Sequence, residues 1–546
     1  MLRNNATNLL MMRRYDLLGS MKQSVSPFLM DDKEFTYLKD ISFDEVGSIS
    51  KDGGFSQLGA DLDSSGTGDL LHLYMDSTGA FTELAVTNGK LFKYVGGVWT
   101  EITHLNQSDS QFVEVADVNA GSGVAGSSST RGIYVAGEGS IFTAGEKCTA
   151  VNRGGRTYIT NSLDGLRYTD GTTVTMINDD NGGAEIRGKY LAVLDDKIFL
   201  ANISGTHKSS DVVYTMENSD TFYNPNAEGF DTYVTTSQLF SANDAITGMV
   251  AFQGNIIFFT ESEMNLFNPL TLEVSVIGRI GCSSHESIRE INGILYWVNR
   301  DGVFRFNGKD TPELISIPIT NWATNSLWRL IDGSVWNSIP AVSFEGKYMF
   351  YVGNLTGTLP GDESVLSDVV IVYDTYRDVW YFLTNYPVGL WSRYINSDGN
   401  LRLLFIGHST PEVFQKDYSY TTKTGAIEMV VRSKYFNFDM PENEKVLDNL
   451  LITCRPSGGD GKYMTVKLAI NGSNNYVPYV TSSTSTKVEL DAISGTEFQL
   501  DRVTVKGVRA RTVSYEFSNA DSATNMILLG YTQQYRNIGN NMNLSV

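Results

Sequence analysis

From about residue 80 to residue 415 the chain keeps returning to one pattern: a short run of Tyr, Phe, Ile and Val, a glycine-containing turn, then another such run, with no sustained helical period between copies. The clearest copy is Ile291-Asn-Gly-Ile-Leu-Tyr-Trp-Val-Asn-Arg-Asp-Gly-Val-Phe-Arg-Phe-Asn-Gly308. Others are Val86-Thr-Asn-Gly-Lys-Leu-Phe-Lys-Tyr94, followed by Gly96-Gly97 and Trp99, and Val250-Ala-Phe-Gln-Gly-Asn-Ile-Ile-Phe-Phe259. Asn-Gly and Asp-Gly supply the positive φ that two-residue hairpin loops require, so each copy reads as strand, tight turn, strand. Weaker copies centre on Arg187-Gly188-Lys189, Glu345-Gly346-Lys347 and Ser397-Asp398-Gly399. Such a unit cannot bury both its faces alone, so copies must stack face to face, and the closed form of that stack is a β-propeller. Roughly 370 residues at ~40–50 per four-stranded blade predict seven or eight blades, with about seven as the expected count.

The flanks have a different texture. Residues 1–35 read as an N-terminal arm with a weak helical stretch from Asn8 to Leu18, and residues 36–416 as the β-propeller. Two segments interrupt the repeats and are expected on the surface: Asn119 to Thr130, almost pure Gly, Ser and Ala, and the polar connection Asn354 to Ser367. A helix is expected from Asn321 through Leu330, capped by Thr320 or Asn321 behind Pro318. From about Asp417 the alternating strands lengthen, as in Ala426-Ile-Glu-Met-Val-Val-Arg-Ser-Lys434 and Met464-Thr-Val-Lys-Leu-Ala-Ile470, which predicts a C-terminal β-sandwich over 417–546. The fold class is thus all-β: a β-propeller followed by a C-terminal β-sandwich. The 28 Tyr, 27 Phe and 51 Gly fit half-buried pleated surfaces joined by tight turns.

Charge is distributed unevenly. The net charge is −20, from 42 basic and 62 acidic residues. From Asp417 onward there are 13 of each, so 29 basic and 49 acidic residues precede it and carry the whole excess. Residues 1–30 run the other way, with Arg3, Arg13, Arg14 and Lys22 against Asp16. An acidic surface of this size repels nucleic acid at long range and argues against a tight DNA binder. Cys148, Cys282 and Cys454 are odd in number and far apart, which predicts no disulfide framework and a reducing compartment of assembly. Nothing in the sequence approaches the ~18 consecutive apolar residues of a membrane span, so no membrane insertion is predicted.

Motifs that would carry chemistry fail on their surroundings. Gly121-Ser-Gly123-Val-Ala-Gly126 matches GxGxxG, yet Ser127-Ser128-Ser-Thr-Arg follows where a phosphate-binding helix would have to begin, so the segment reads as a loop. Asp61, Asp63, Ser65 and Gly66 resemble the opening of a calcium loop, but its twelfth position is His72 rather than a bidentate Glu. Cys282 and His285 have C-x-x-H spacing without the second pair that zinc needs, and the five histidines are scattered. A glycosidase needs only two carboxylates across a cleft, which 62 acidic residues leave open, but the Ser, Asp, Gly and Trp turn that marks sialidase blades is missing. Trp99, Trp297 and Trp380 are expected to pack between blades. No catalytic residue, cofactor or metal is predicted.

One family resemblance stands on these residues. Ile280-Gly-Cys-Ser-Ser-His-Glu-Ser287, then Gly293 through Gly308 and Pro312-Glu-Leu-Ile-Ser316, resemble the tail nozzle or tail-hub propellers of short-tailed bacteriophages, also called packaged-DNA stabilisation proteins. Gly47-Ser-Ile-Ser-Lys-Asp-Gly-Gly-Phe-Ser-Gln-Leu-Gly59, Ala245-Ile-Thr-Gly-Met-Val-Ala-Phe-Gln-Gly254 and Val370-Ile-Val-Tyr-Asp-Thr375 with Trp380 fit the same family, in order, over residues 40–415. Lys51-Asp52-Gly53 departs from the expected Arg-Pro-Gly.

The resemblance implies a non-enzymatic virion protein, assembled in the host bacterial cytoplasm. It would form a homohexamer that extends the portal and adaptor, meets tail fibres or a tail needle, and closes the DNA channel until ejection. Duplex DNA would then pass an acidic lining without sequence-specific binding. On that expectation Gly121, Ser122, Gly123, Gly126, Ser127 and Ser128 are candidate gate-loop residues. Arg3, Arg13, Arg14 and Lys22 are a candidate arm for docking on an acidic adaptor. Two other readings stay open on the sequence: a carbohydrate-active propeller with a sugar-binding sandwich, and a generic propeller scaffold for protein binding.

Overall fold

The computed structural model describes residues 9–43, 47–102, 104–105, 113–114, 132–133, 141–177, 186–204, 208–217, 220, 222, 239–320, 326–357, 364–396, 398–417, 419–423, 425–457, 462–478, 488–490, 499–522 and 525–538. Among them there are strands and short 3-10 turns and no α-helix. Antiparallel sheets follow one another along the chain. The first comprises Gly68–Met75, Phe81–Thr87, Lys90–Val95 and Val98–Glu101. The next runs from Thr149–Arg153 to Thr173–Met176, with His104–Leu105 added in parallel at its edge. Then come Arg187–Leu194 to Leu239–Ser241, Gly248–Phe252 to Glu273–Gly278, and Arg289–Ile291 to Glu313–Leu314. Ala341–Phe344 to Val379–Leu383 and Val388–Ile395 to Val413–Lys416 complete the series.

The opening strands of these sheets touch in turn. Gly68–Met75 meets Thr149–Arg153, which meets Arg187–Leu194, which meets Gly248–Phe252. The 3-10 turn His285–Ser287 packs on Gly248–Phe252 and leads into Arg289–Ile291, which meets Ala341–Phe344, and that strand meets Val388–Ile395. Val388–Ile395 then contacts Gly68–Met75, so the series closes on itself. A closed ring of sheets around their first strands is a β-propeller-like fold. The closure is completed across the chain: Phe55–Gln57 adds to the last sheet, pairing Phe414 with Gln57 and Lys416 with Phe55.

Local backbone chemistry accounts for the hairpins. Asn88-Gly89 and Asn292-Gly293 take φ of 51°/75° and 51°/77°, the left-handed pair that a type I′ turn demands. Gln253-Gly254 and Glu345-Gly346 turn in the same way without an Asn. Between sheets, aromatics fill the seams. Phe240 stacks on Phe267 with ring centroids 4.0 Å apart, and Trp297 is fully buried 5.3 Å from Phe259 and 5.9 Å from Phe304. Burial of each such ring contributes ~2 kcal/mol, so these seams supply much of the ring's cohesion. Trp99 and Trp380 also pack inside, beside Tyr94 and Tyr373.

Four expectations are corrected. Arg187-Gly188-Lys189 is not a turn but the start of a strand; the turn falls at Asp195-Asp196, with φ of 49° and 60°, and Gly188 is needed because a Cβ there would lie 2.6 Å from Leu200. Asn354 to Ser367 is not a simple connection, since its flanks extend a ladder as far as Leu355↔Leu366 and Thr356↔Val365. Of the helix expected over 321–330, only a 3-10 turn at Trp328–Leu330 is seen, and 321–325 lie outside the described residues. The weak helix in the arm is the strand Leu10–Arg14, paired with Asn525–Ile538. Leu10, Met12 and Arg14 alternate with the more exposed Met11 and Arg13, a period of two that suits a strand.

The N-terminal segment is woven into the molecule. Leu17 and Met21 are buried, Met21 donates its N–H to Trp380, and Gln23 donates to Pro318. Phe35–Lys39 bridges the two expected domains: it pairs in parallel with Val379–Leu383 of the ring through Lys39↔Phe382, and antiparallel with Met429–Ser433. One sheet therefore runs from Ala341–Phe344 through Phe35–Lys39 to Met429–Ser433, Val513–Asn519, Lys462–Ile470 and Val477–Pro478. A second sheet, Leu10–Arg14, Asn525–Ile538, Glu444–Ser457 and Gln499–Ala510, packs against its far half. There Tyr531 lies 5.5 Å from Tyr515 and 5.1 Å from Phe517, and the Tyr515 hydroxyl donates to Gln533 at 3.0 Å.

Candidate functional site at the ring axis

Opening strands of the ring line a cavity of about 410 Å³. Its wall takes Leu70 to Leu73 from Gly68–Met75, Cys148 to Ala150 and Asn152 from the next sheet, His285, Glu286 and Arg289 from the 3-10 turn and the strand after it, Val342 and Ser343, and Leu390 to Arg393. Five opening strands and the 3-10 turn His285–Ser287 thus supply the wall, mixing polar and apolar residues.

Two histidines in the wall are held neutral. The His285 Nδ1 accepts the Met249 N–H at 3.3 Å, which leaves the proton on Nε2, and the ring lies 4.7 Å from Tyr190. Burial lowers its pKa to about 4, and Arg289 and Lys189 push the same way against the pull of Glu286. Asn152 donates to the Leu73 carbonyl and accepts from Thr157, so its oxygen is also the acceptor for His72 Nε2–H at 3.1 Å. Burial lowers the His72 pKa as well.

The charges are few and unequal. Glu286 is paired with Arg289 at 3.2 Å; burial opposes its ionisation, but Arg289 and Lys147 hold its carboxyl below the ordinary value. Arg393 lines the same cavity, with one hydrogen bond, to Ser343 at 3.5 Å, and no carboxylate within ion-pair distance among the described residues. Its pKa is lowered by burial and by the neighbouring Arg289. Behind the wall, Glu83 is fully buried opposite Leu73, with neither oxygen in a well-formed hydrogen bond and Ser392 as the polar group beside it. Burial drives its carboxyl well above the ordinary value, which favours the protonated form.

Chemically the wall is a poor catalyst and a fair binder. It presents one carboxylate, already paired, two guanidiniums and two neutral imidazoles. The thiols offer no nucleophile: burial raises Cys148 strongly and Cys282 to about 12. Cys282 gives its Sγ to the Ser284 carbonyl at 3.1 Å, and no cluster fit for a metal occurs among the described residues. The calcium-like segment is likewise engaged: Asp61 accepts from Gln57, and Asp63 binds Ser64, Asn88 and Lys90.

Of the residues weighed from sequence, His72, Cys148 and His285 line the cavity. Gly121, Ser122, Gly123, Gly126, Ser127 and Ser128 lie outside the described residues, as does Arg3. Arg14 pairs with Asp32 and sits 5.1 Å from the Phe436 ring, and Lys22 pairs with Glu34 at 2.7 Å. Arg13, on the outer face of its strand, has no carboxylate partner among the described residues. Sequence reasoning missed Arg289 and Arg393. Arg393 is the one charge in the strand Val388-Gly-Leu-Trp-Ser-Arg-Tyr-Ile395, which was a signal, whereas Arg289 in Arg-Glu-Ile carried none.

No protein-family model matches the chain, and no curated protein matches it. Among the solved structures similar to it are two extracellular domains of B. thetaiotaomicron, described as parts of a hybrid two-component system and of a one-component system. Their TM-scores are 0.35 and 0.39, both at 11% identity, over 76% and 86% of this chain. The chain spans 45% and 61% of the length of those two. The Pan2 WD40 domain of Neurospora crassa has a TM-score of 0.36 at 8% identity, over 71% of this chain and 98% of its own.

Proposed function

We propose that the protein is a structural component of a virus particle: a hexameric tail nozzle or hub that continues the DNA channel below portal and adaptor and closes it until genome ejection. The observation that carries this reading is the placement of the family-like segments. Ala245–Gly254, Gly293–Gly308 and Val370–Thr375, segments on which the resemblance stands, fall in three consecutive sheets of one closed ring. In this reading the ring has seven blades, Phe55–Gln57 closes the last of them, and the two facing sheets beyond it are the β-sandwich.

The axis of a single ring is not the DNA path. A cavity of about 410 Å³ does not admit a duplex whose major groove alone is ~12 Å wide. The channel would lie between six subunits, where the acidic excess of the first three quarters of the chain lets DNA slide without sticking. The carbohydrate-active alternative draws less support, because its chemistry needs two carboxylates facing one cleft and, among the described residues, the axial wall carries Glu286 alone. An interaction scaffold is favoured by one feature, the exposed apolar edge at Leu270, Leu272, Val274 and Val276. In a ring assembly this edge is where neighbouring subunits would meet.

Electron microscopy of the purified chain tests the proposal. Six-fold rings with an axial opening wide enough for a duplex are the expected result. Solitary particles that hydrolyse glycans would overturn it.

A further inference from the structure

The axial cavity poses a question that a role in a ring assembly does not answer. The two guanidiniums that face it are close enough for Arg289 to depress the ionisation of Arg393, yet one carboxylate serves both. Glu286 is committed to Arg289. Arg393 has five N–H donors, of which one makes a long bond to the Ser343 hydroxyl, and it is the most exposed of the lining residues. In a chain with a net charge of −20, this spot is locally positive. Screening limits the repulsion of the distant acidic surface to a range of ~8 Å at physiological salt, so the local charges decide what enters.

The remaining wall suits a small polar guest. His285 keeps its proton on Nε2 and Ser343 carries a hydroxyl, both neutral donors, while Leu70, Val342 and Leu390 give apolar surface. The indole N–H of Trp391, a buried residue that also lines the space, has no acceptor among the described residues. A buried donor without a partner beside a cavity is uncommon, because a buried polar group normally finds one. The volume lies within the range of small-molecule sites and far below that of a polymer groove.

We propose that the axial cavity binds a small solute bearing a carboxylate or phosphate group, whose oxygens take the planar fork of Arg393 with Arg289 alongside. Guanidinium recognises both groups through two parallel hydrogen bonds, so the shared chemistry is that of an oxyanion. This inference does not rest on the tail assignment.

Titration calorimetry on the full chain, with inorganic phosphate in one arm and citrate in the other at constant ionic strength, tests it. Saturable binding of at least one anion, one per chain, is expected, and the arm that binds more tightly identifies the class. Arg393→Gln should weaken that binding by about tenfold or more, and Arg393→Lys should weaken it less, since charge is kept and the fork is lost. The thermal midpoint without anion should be the same in both variants as in the parent, which separates loss of the site from loss of the fold. Absence of saturable binding in both arms, or equal affinity in parent and Arg393→Gln, would overturn the proposal.

Discussion

The Nζ of Lys416 lies 2.8 and 2.7 Å from the two carboxylate oxygens of Asp52, joining the end of the last ring sheet to the segment that precedes its closing strand. The Tyr386 hydroxyl donates to the same carboxylate at 2.9 Å, and Asp52 is buried. Beside this polar knot Phe55 packs on Tyr386, Phe405 and Phe414, at 4.9, 4.9 and 5.2 Å. A ring closed by two chain-distant segments has no covalent bond at the seam, so these contacts decide whether it stays shut.

Removing the buried carboxylate strands a partly buried ammonium. Asp52→Ala should therefore cost about 3 kcal/mol, whereas Tyr386→Phe, which removes one hydrogen bond, should cost ~1 kcal/mol. Urea denaturation of the three proteins checks the ranking, and an Asp52→Ala variant as stable as the parent would show that the seam does not depend on this pair.

Asp40 predicts a pH dependence. It is buried, and accepts from the Thr384 N–H and hydroxyl, both at 2.7 Å. Burial raises its pKa from 3.8 to about 7, against Lys39 and the Thr384 bonds. A carboxyl with a raised folded-state pKa binds its proton more tightly when folded, so its contribution to stability is complete below about pH 4 and is lost as pH rises toward 7. The slope is at most ~1.4 kcal/mol per pH unit for one group. Asp40→Asn should remove that decline and match or exceed the parent in stability at pH 7.5. Denaturation midpoints of both proteins at several pH values between 4 and 8 measure the difference, and parallel profiles would count against it.

His285 should behave in the opposite sense. With a pKa near 4 and its proton on Nε2, it stays neutral through the range in which an ordinary histidine titrates. Its contribution to stability is present above pH 6.5 and is lost as pH falls toward 4. Nitrogen NMR of histidine-labelled protein resolves this among only five histidines. A midpoint near 6.5 for this residue would mean that the axial wall is wetter than described.

The exposed edge strand Glu273–Gly278 predicts how the proposed assembly would come apart. Val274 and Val276 are 42% and 52% exposed, with Leu270 and Leu272 beside them at 88% and 53%. A charge on this edge has little effect on an isolated subunit, ~0.5 kcal/mol or less, but meets apolar surface in a packed interface. Val276→Glu should therefore leave the fold intact and release subunits from the ring. Light scattering with circular dichroism separates the two effects, and an unchanged ring would place the subunit contact elsewhere.

Much of the ring was legible because its signals are local. Asn88-Gly89 and Asn292-Gly293 turn where their composition demands, and Trp297 sits in a seam because nothing else there could cover so large a ring. What escaped was non-local. Phe35–Lys39 looks like any short strand, and its neighbours, Val379–Leu383 and Met429–Ser433, are hundreds of residues away. Leu10–Arg14 is too short for its period to separate strand from helix, and its partner lies at the other end of the chain. The axial wall was hidden for the same reason: Arg289 and Arg393 converge only when the ring closes.

The central claim is that six of these rings assemble about a common axis. The mass of the purified particle in solution, by light scattering or native mass spectrometry, tests it most directly. A species at six times 60.3 kDa is the predicted result. A stable monomer across a wide range of concentrations and salts would contradict it.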